Sequence, residues 1–112
     1  LANLKTILSS PNVLKVGIAL HDDIIGLQKL ADFDASGFLD LSMVARKNEF
    51  NKTGIKNLSA SLLGMRIVKN QQTSNWENPE LTEKQISYAA TDAWISLKIY
   101  HRMTLLGMLN DF

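Results

Sequence analysis

The chain has no cysteine, which removes both a disulfide framework and a zinc site built on thiolates. That absence fits a reducing compartment, and a cytoplasmic protein is expected. No apolar run approaches the ~20 residues that a helix needs to cross a bilayer, and the opening LANLKTILSS lacks the basic start and long apolar centre of a secretory signal. No membrane association is expected. Charge of one sign is also lacking: 12 basic against 11 acidic residues leave a net charge of +1, so there is neither a basic nucleic-acid tail nor an acidic disordered segment. Any electrostatic recognition must come from local patches. There is no internal repeat and no low-complexity tract. What remains, in 112 residues, is the composition of an ordinary globular protein, enough for one compact domain or part of a larger one. The chain begins at Leu1 and opens directly on a helical pattern, so a piece cut from a longer protein is expected.

The hydrophobic periodicity alternates between helix and strand. Leu1, Leu4, Ile7 and Leu8 fall at helical spacing, and Ser9, Ser10, Pro11 and Asn12 supply a break. VLKVGIAL, residues 13 to 20, is a short apolar run bounded by turn residues and suits a buried strand. DDIIGLQKLADF follows as a helix, with Asp22 or Asp23 as its cap. FLDLS, residues 38 to 42, reads as a second strand or a helix lead-in, and MVARKNEF as a short helix. IKNLSASLLG is a further helix that Gly64 ends. The polar segment from 66 to 81 reads as a loop, and a final helix runs from Thr82, with Gln85 completing a capping box, to about Leu106.

Three places carry candidate chemistry. In YAATDA, residues 88 to 93, Tyr88 and Asp92 stand four apart, a rise of about 6 Å and close to one full turn, so both project from one helix face. Ile86, Ala89, Ala90, Ala93, Leu97 and Tyr100 suggest that this helix is largely buried, and a carboxylate beside a buried face needs a partner. The plainer reading is that Tyr88 is a core ring and Asp92 accepts a hydrogen bond from a neighbour. Asp23 lies where the chain leaves a strand and enters a helix, a usual place for ligand groups in open α/β sheets, although a capping role explains it too. Six basic residues, Arg46, Lys47, Lys52, Lys56, Arg66 and Lys69, face the single acid Glu49 between 46 and 69, whereas four acids face Lys84 between Glu77 and Asp92. The first region could hold phosphate and the second a hard cation, or both could be solvated helix faces.

These segments together resemble a known family. KVGIALHDDIIGLQKL is similar to the second exonuclease motif, and YAATDA to the third, of the DEDDy 3′-5′ exonucleases, in the branch of the Werner syndrome exonuclease domain and, more distantly, RNase D. NLSASLLG, TSNW and LTEKQ between them resemble the same branch, and the likeness runs roughly from Pro11 to Tyr100. The resemblance implies an RNase H-like α/β fold, here a truncated, helix-rich portion with one or two strands, residues 1–112 forming the C-terminal part of a single exonuclease domain. It implies hydrolysis of phosphodiester bonds at a DNA or RNA 3′ end, with two Mg²⁺ or Mn²⁺ ions held by four carboxylates. Asp23 and Asp92 would then be metal ligands, and Tyr88 would orient or help deprotonate the attacking water. With an ordinary pKa near ~10, orientation is the safer role for the tyrosine. Lys69 and Arg66 would contact phosphate, and Trp76 would stack on a base, unless it packs back on its own domain. His21 and Asp22 receive no role.

The family's first motif, Asp-x-Glu on a preceding strand, is absent from the chain. Asp32-Phe33-Asp34 is no substitute, because it follows the second motif at a helix end. The chain alone is therefore expected to be inactive, and the competing expectation is a non-catalytic RNase H-like module that binds nucleic acid or protein. An open sheet edge is expected to favour self-association. Ala19 stands where the family often has glycine.

Overall fold

The structure, a computed structural model, describes residues 2–67, 83–110 and 112, with the backbone alone at residues 2, 84, 85 and 88. The loop reading for 66–81, Lys69, Trp76 and the helix start at Thr82 therefore fall almost wholly outside the described residues. Helix α1, Ala2–Ser9, is followed by strand β1, Lys15–Gly17. Helix α2, His21–Leu30, leads to strand β2, Phe38–Asp40, and directly into helix α3, Leu41–Lys47. Helix α4, Ile55–Leu58, widens into a π-helical stretch, Ser59–Leu63, and helix α5 spans Glu83–Leu105. Gly64, at φ 65°, ends the widened helix, as its position after SASLL predicts.

The two strands pair in parallel, with Lys15 opposite Phe38, Val16 opposite Leu39 and Gly17 opposite Asp40. Parallel neighbours require a crossover, and α2 supplies it. The extended segment is much shorter than the VLKVGIAL pattern suggests. Val13 and Leu14 are exposed, and Ala19 turns to φ 56°, a left-handed value incompatible with a continuing strand. Gly17 is buried, and a Cβ there would run into the side chain of Leu20.

The core forms where α3, α4 and α5 meet. Helix α3 contributes Leu41, Val44 and Ala45 at i, i+3 and i+4, and α4 contributes Leu58. Helix α5 adds Ile95, Ile99 and Met103 at strict four-residue spacing. Val16, Ile18 and Leu39 pack against this cluster and tie the sheet to it. Full burial of a side chain the size of Leu41 or Ile99 contributes about 1.5–3 kcal/mol each. The burial of α5 is narrower than its sequence suggests. Ala89, Ala90 and Ala93 are exposed, Ile86 and Leu97 are about half exposed, and Tyr100 is partly covered. Among its described side chains, the buried stripe runs through Ile95, Ser96, Ile99 and Met103, and Tyr100 packs against the same core. Among the described residues, no helix is long and apolar enough to cross a membrane.

Candidate active site

Helix α5 packs against β1, and α2 leaves the carboxyl end of the same strand through the turn at residues 18–20. Asp23 therefore lies on the helix that follows β1, and Asp92 on a helix that packs against the same strand. Asp92 stands one turn before Ser96 and continues the buried stripe toward the helix start. It is half-buried, and its Oδ1 is covered. Tyr88 lies one further turn back on α5, as the YAATDA spacing requires; its side chain falls outside the described residues.

Asp23 occupies the third position of α2. The expected capping role is not observed: the N-cap is Leu20, no side chain caps the helix, and Asp22 and Asp23 lie inside its first turn. There they meet the positive end of the helix dipole, which favours carboxylates. Burial, followed by the nearby charges of Asp22 and Asp40, nevertheless raises the Asp23 carboxyl above its ordinary pKa. A bound cation would relieve the crowding of negative charge that adds to the effect of burial.

Asp40, which has no role in the motif resemblance, organises this corner. Its Oδ1 accepts from the Ala19 N–H at 2.9 Å, the Ser42 N–H at 2.9 Å and the Ser42 hydroxyl at 2.6 Å. Its Oδ2 accepts from the Leu20 N–H at 3.1 Å. Burial would raise its pKa, but the Ser42 hydroxyl and the N–H groups of Leu20, Ser42 and Ala19 outweigh that and hold it below the ordinary value. A sequence signal for it exists: an Asp directly before the apolar start of α3, in FLDLS, is an N-cap pattern. Only its second task, across the sheet, cannot be read locally.

Arg66 is exposed and borders an open cleft of about 310 Å³, lined by Lys56, Asn57, Ala60, Gly64, Met65 and Arg66. Two cations thus face one cleft at the end of the widened helix, consistent with the basic region in the sequence. Among the described residues, no three His, Cys, Asp or Glu side chains gather as a metal site. Asp23 and Asp92 are hard oxygen donors and suit Mg²⁺ or Mn²⁺ in kind. A centre holding two such ions needs further carboxylates.

Residues 1–107 match a protein-family model described as a 3′-5′ exonuclease. The chain is 34% identical over 110 residues to the mouse bifunctional 3′-5′ exonuclease/ATP-dependent helicase WRN, covering 93% of this chain and 8% of that protein. It is 31% identical over 122 residues to the putative 3′-5′ exonuclease R431 of Acanthamoeba polyphaga mimivirus, covering 93% of this chain and 30% of that protein. The chain thus spans less than a third of either relative's length. Its fold superposes on the crystal structure of the Aedes aegypti Nibbler EXO domain with a TM-score of 0.73 and 28% identity, covering 88% of this chain and 56% of that one.

Proposed function

The chain belongs to the 3′-5′ exonuclease family, with its RNase H-like fold, and on that premise we propose that it is the C-terminal part of a metal-dependent domain removing nucleotides from nucleic-acid 3′ ends. The observation that supports the site assignment is the placement of Asp23 on the helix that follows β1 and of Asp92 on the helix that packs against β1. In this reading both carboxylates would hold Mg²⁺ or Mn²⁺, which would supply charge stabilisation at the scissile phosphate and activate the attacking water. Tyr88, one turn from Asp92, would orient the attacking water by a hydrogen bond. Arg66 and Lys69 bind the phosphate backbone and Trp76 stacks on a base. Supporting this for Arg66 are its exposure and its place beside Lys56 at an open cleft.

The missing Asp-x-Glu is supplied by a segment outside these 112 residues in this reading, so the isolated chain shows no metal-dependent nuclease turnover. Its two-stranded sheet leaves an open strand edge among the described residues, which favours self-association of the isolated chain. Light scattering at high concentration checks this, and a strictly monomeric result removes it. The full-length protein containing this sequence, supplied with Mg²⁺ or Mn²⁺, should degrade a 3′ end, and Asp92→Ala should abolish the activity. Undiminished cleavage by that variant overturns the assignment. Coding sequence upstream of Leu1 that is intact but lacks Asp-x-Glu favours instead a binding module of the same fold.

A further inference from the structure

We propose that Asp40 is a positioning residue for the exonuclease site: it clamps the strained turn after β1 and so fixes the direction from which α2 presents Asp23. The proposal rests on the reading of Asp23 as a metal ligand. Helix α2 has no side-chain cap of its own and no buried residue to hold it. Its entry is fixed instead through its backbone. The Leu20 carbonyl accepts from the Ile24 N–H at 2.9 Å, while the Leu20 N–H donates to Asp40 Oδ2 at 3.1 Å. One residue earlier, Ala19 sits at φ 56°, a conformation disfavoured by its Cβ, and its N–H donates to Asp40 Oδ1 at 2.9 Å.

The clamp is itself anchored. Asp40 ends β2 in register with Gly17, and the same Oδ1 caps α3 through the Ser42 N–H and hydroxyl. The start of α3 is among the most buried parts of the chain, with Leu41 fully covered and Ser42 nearly so. Ile18 packs against the core at the start of the turn, and a carboxylate rooted in the core reaches across the sheet to hold the two backbone N–H groups that follow it, those of Ala19 and Leu20. Asp23 follows three residues after Leu20, in the first turn, so a change in that turn's geometry moves its carboxylate directly.

Asp40→Asn isolates this role. With its amide oxygen in place of Oδ1, the asparagine keeps the cap on α3, and asparagine is as good a cap as aspartate. Its amide nitrogen then replaces Oδ2 and opposes the Leu20 N–H. Ala19→Gly provides the rescue, because glycine adopts a positive φ without the Cβ clash and holds the turn with less help. The test uses the full-length protein, titrated with Mn²⁺ alone by electron paramagnetic resonance, and hydrogen exchange over residues 18–24 and 95–103. Asp40→Asn is expected to weaken Mn²⁺ binding roughly tenfold, the scale of one lost hydrogen bond to a charged group, and to speed exchange over 18–24 but not over 95–103. Adding Ala19→Gly is expected to restore part of the Mn²⁺ affinity.

Asp23→Ala separates the two levels of the reading. If it leaves Mn²⁺ binding unchanged, Asp23 is not a ligand and the site assignment falls, taking the clamp's purpose with it. If Asp23→Ala weakens binding but Asp40→Asn does not, the clamp alone is overturned. Faster exchange over 95–103 in Asp40→Asn, with no recovery from Ala19→Gly, shows a merely structural role and overturns it as well.

Discussion

The α3–α4–α5 side and the β1–α2 side of this chain are held by different forces. On the first, Leu41, Val44, Ala45, Leu58, Ile99 and Met103 are all fully buried, and removal of apolar surface from water is the main stabilising force. On the second, α2 buries no residue, Leu30 is 82% exposed, and the polar contacts of one carboxylate set the geometry. Rigidity on the first side is collective; on the second, Val16 and Ile18 reach the core, and beyond them the entry to α2 rests on a few hydrogen bonds. Asp40 is a point where the two meet, ending β2, capping α3 and accepting from the Ala19 and Leu20 N–H groups.

The largest effect expected on stability is therefore on the apolar side. Ile99→Ala should cost about 2–5 kcal/mol, the range for emptying a fully buried aliphatic site, read from chemical unfolding of the protein; a loss below about 1 kcal/mol would dissolve the contrast between the two sides. Asp40→Ala should cost less, about 1–2 kcal/mol for a lost cap, with its hydrogen-exchange effect concentrated around residues 18–24 and 41–43. A uniform effect along the chain would place Asp40 in the core network instead.

Two smaller expectations follow from the carboxyls. Asp40 is held below its ordinary value of 3.8 by its hydrogen bonds, so its contribution is present above that value and lost as pH falls through the lowered one. Denaturant midpoints of the full-length protein should drop as acid is added below about pH 4, and Asp40→Asn should flatten that limb. Asp23 is raised above 3.8, so its ionisation opposes folding as pH rises from there. Asp23→Asn should leave stability at neutral pH unchanged or slightly higher, the signature of a residue kept for function at some cost to the fold. A clear loss at neutral pH would mean that its charge supports the fold after all.

Most elements are legible in the sequence, because their signals are local. Gly64 ends its helix where a left-handed residue is needed, and the four-residue spacing of Tyr88 and Asp92 is a property of one helix. The strand at 13–20 reads longer than it is because an apolar run does not reveal where the chain turns, and the turn at Ala19 is stabilised by a residue 21 positions away. The buried face of α5 reads wider than it is for a similar reason: alanine and isoleucine mark a face as coverable, and only the packing partners decide what is covered. Asp40 escapes a sequence reading because its cap on α3 is local but its grip on Ala19 and Leu20 depends on the parallel register of two strands. The reading of Asp23 and Asp92 as ligands rests on motif resemblance; the fold adds that Asp23 lies on the helix that follows β1 and Asp92 on the helix that packs against it.

The central claim, that these residues are half of a 3′-end hydrolysing site, is tested most directly by product polarity. A 5′-labelled single strand incubated with the full-length protein and Mg²⁺ or Mn²⁺ should shorten stepwise from its 3′ end, stop when that end carries an inverted terminal linkage, and remain intact with Asp92→Ala. Cleavage within the strand, digestion of the blocked substrate, or full activity of the Asp92→Ala protein would contradict the account.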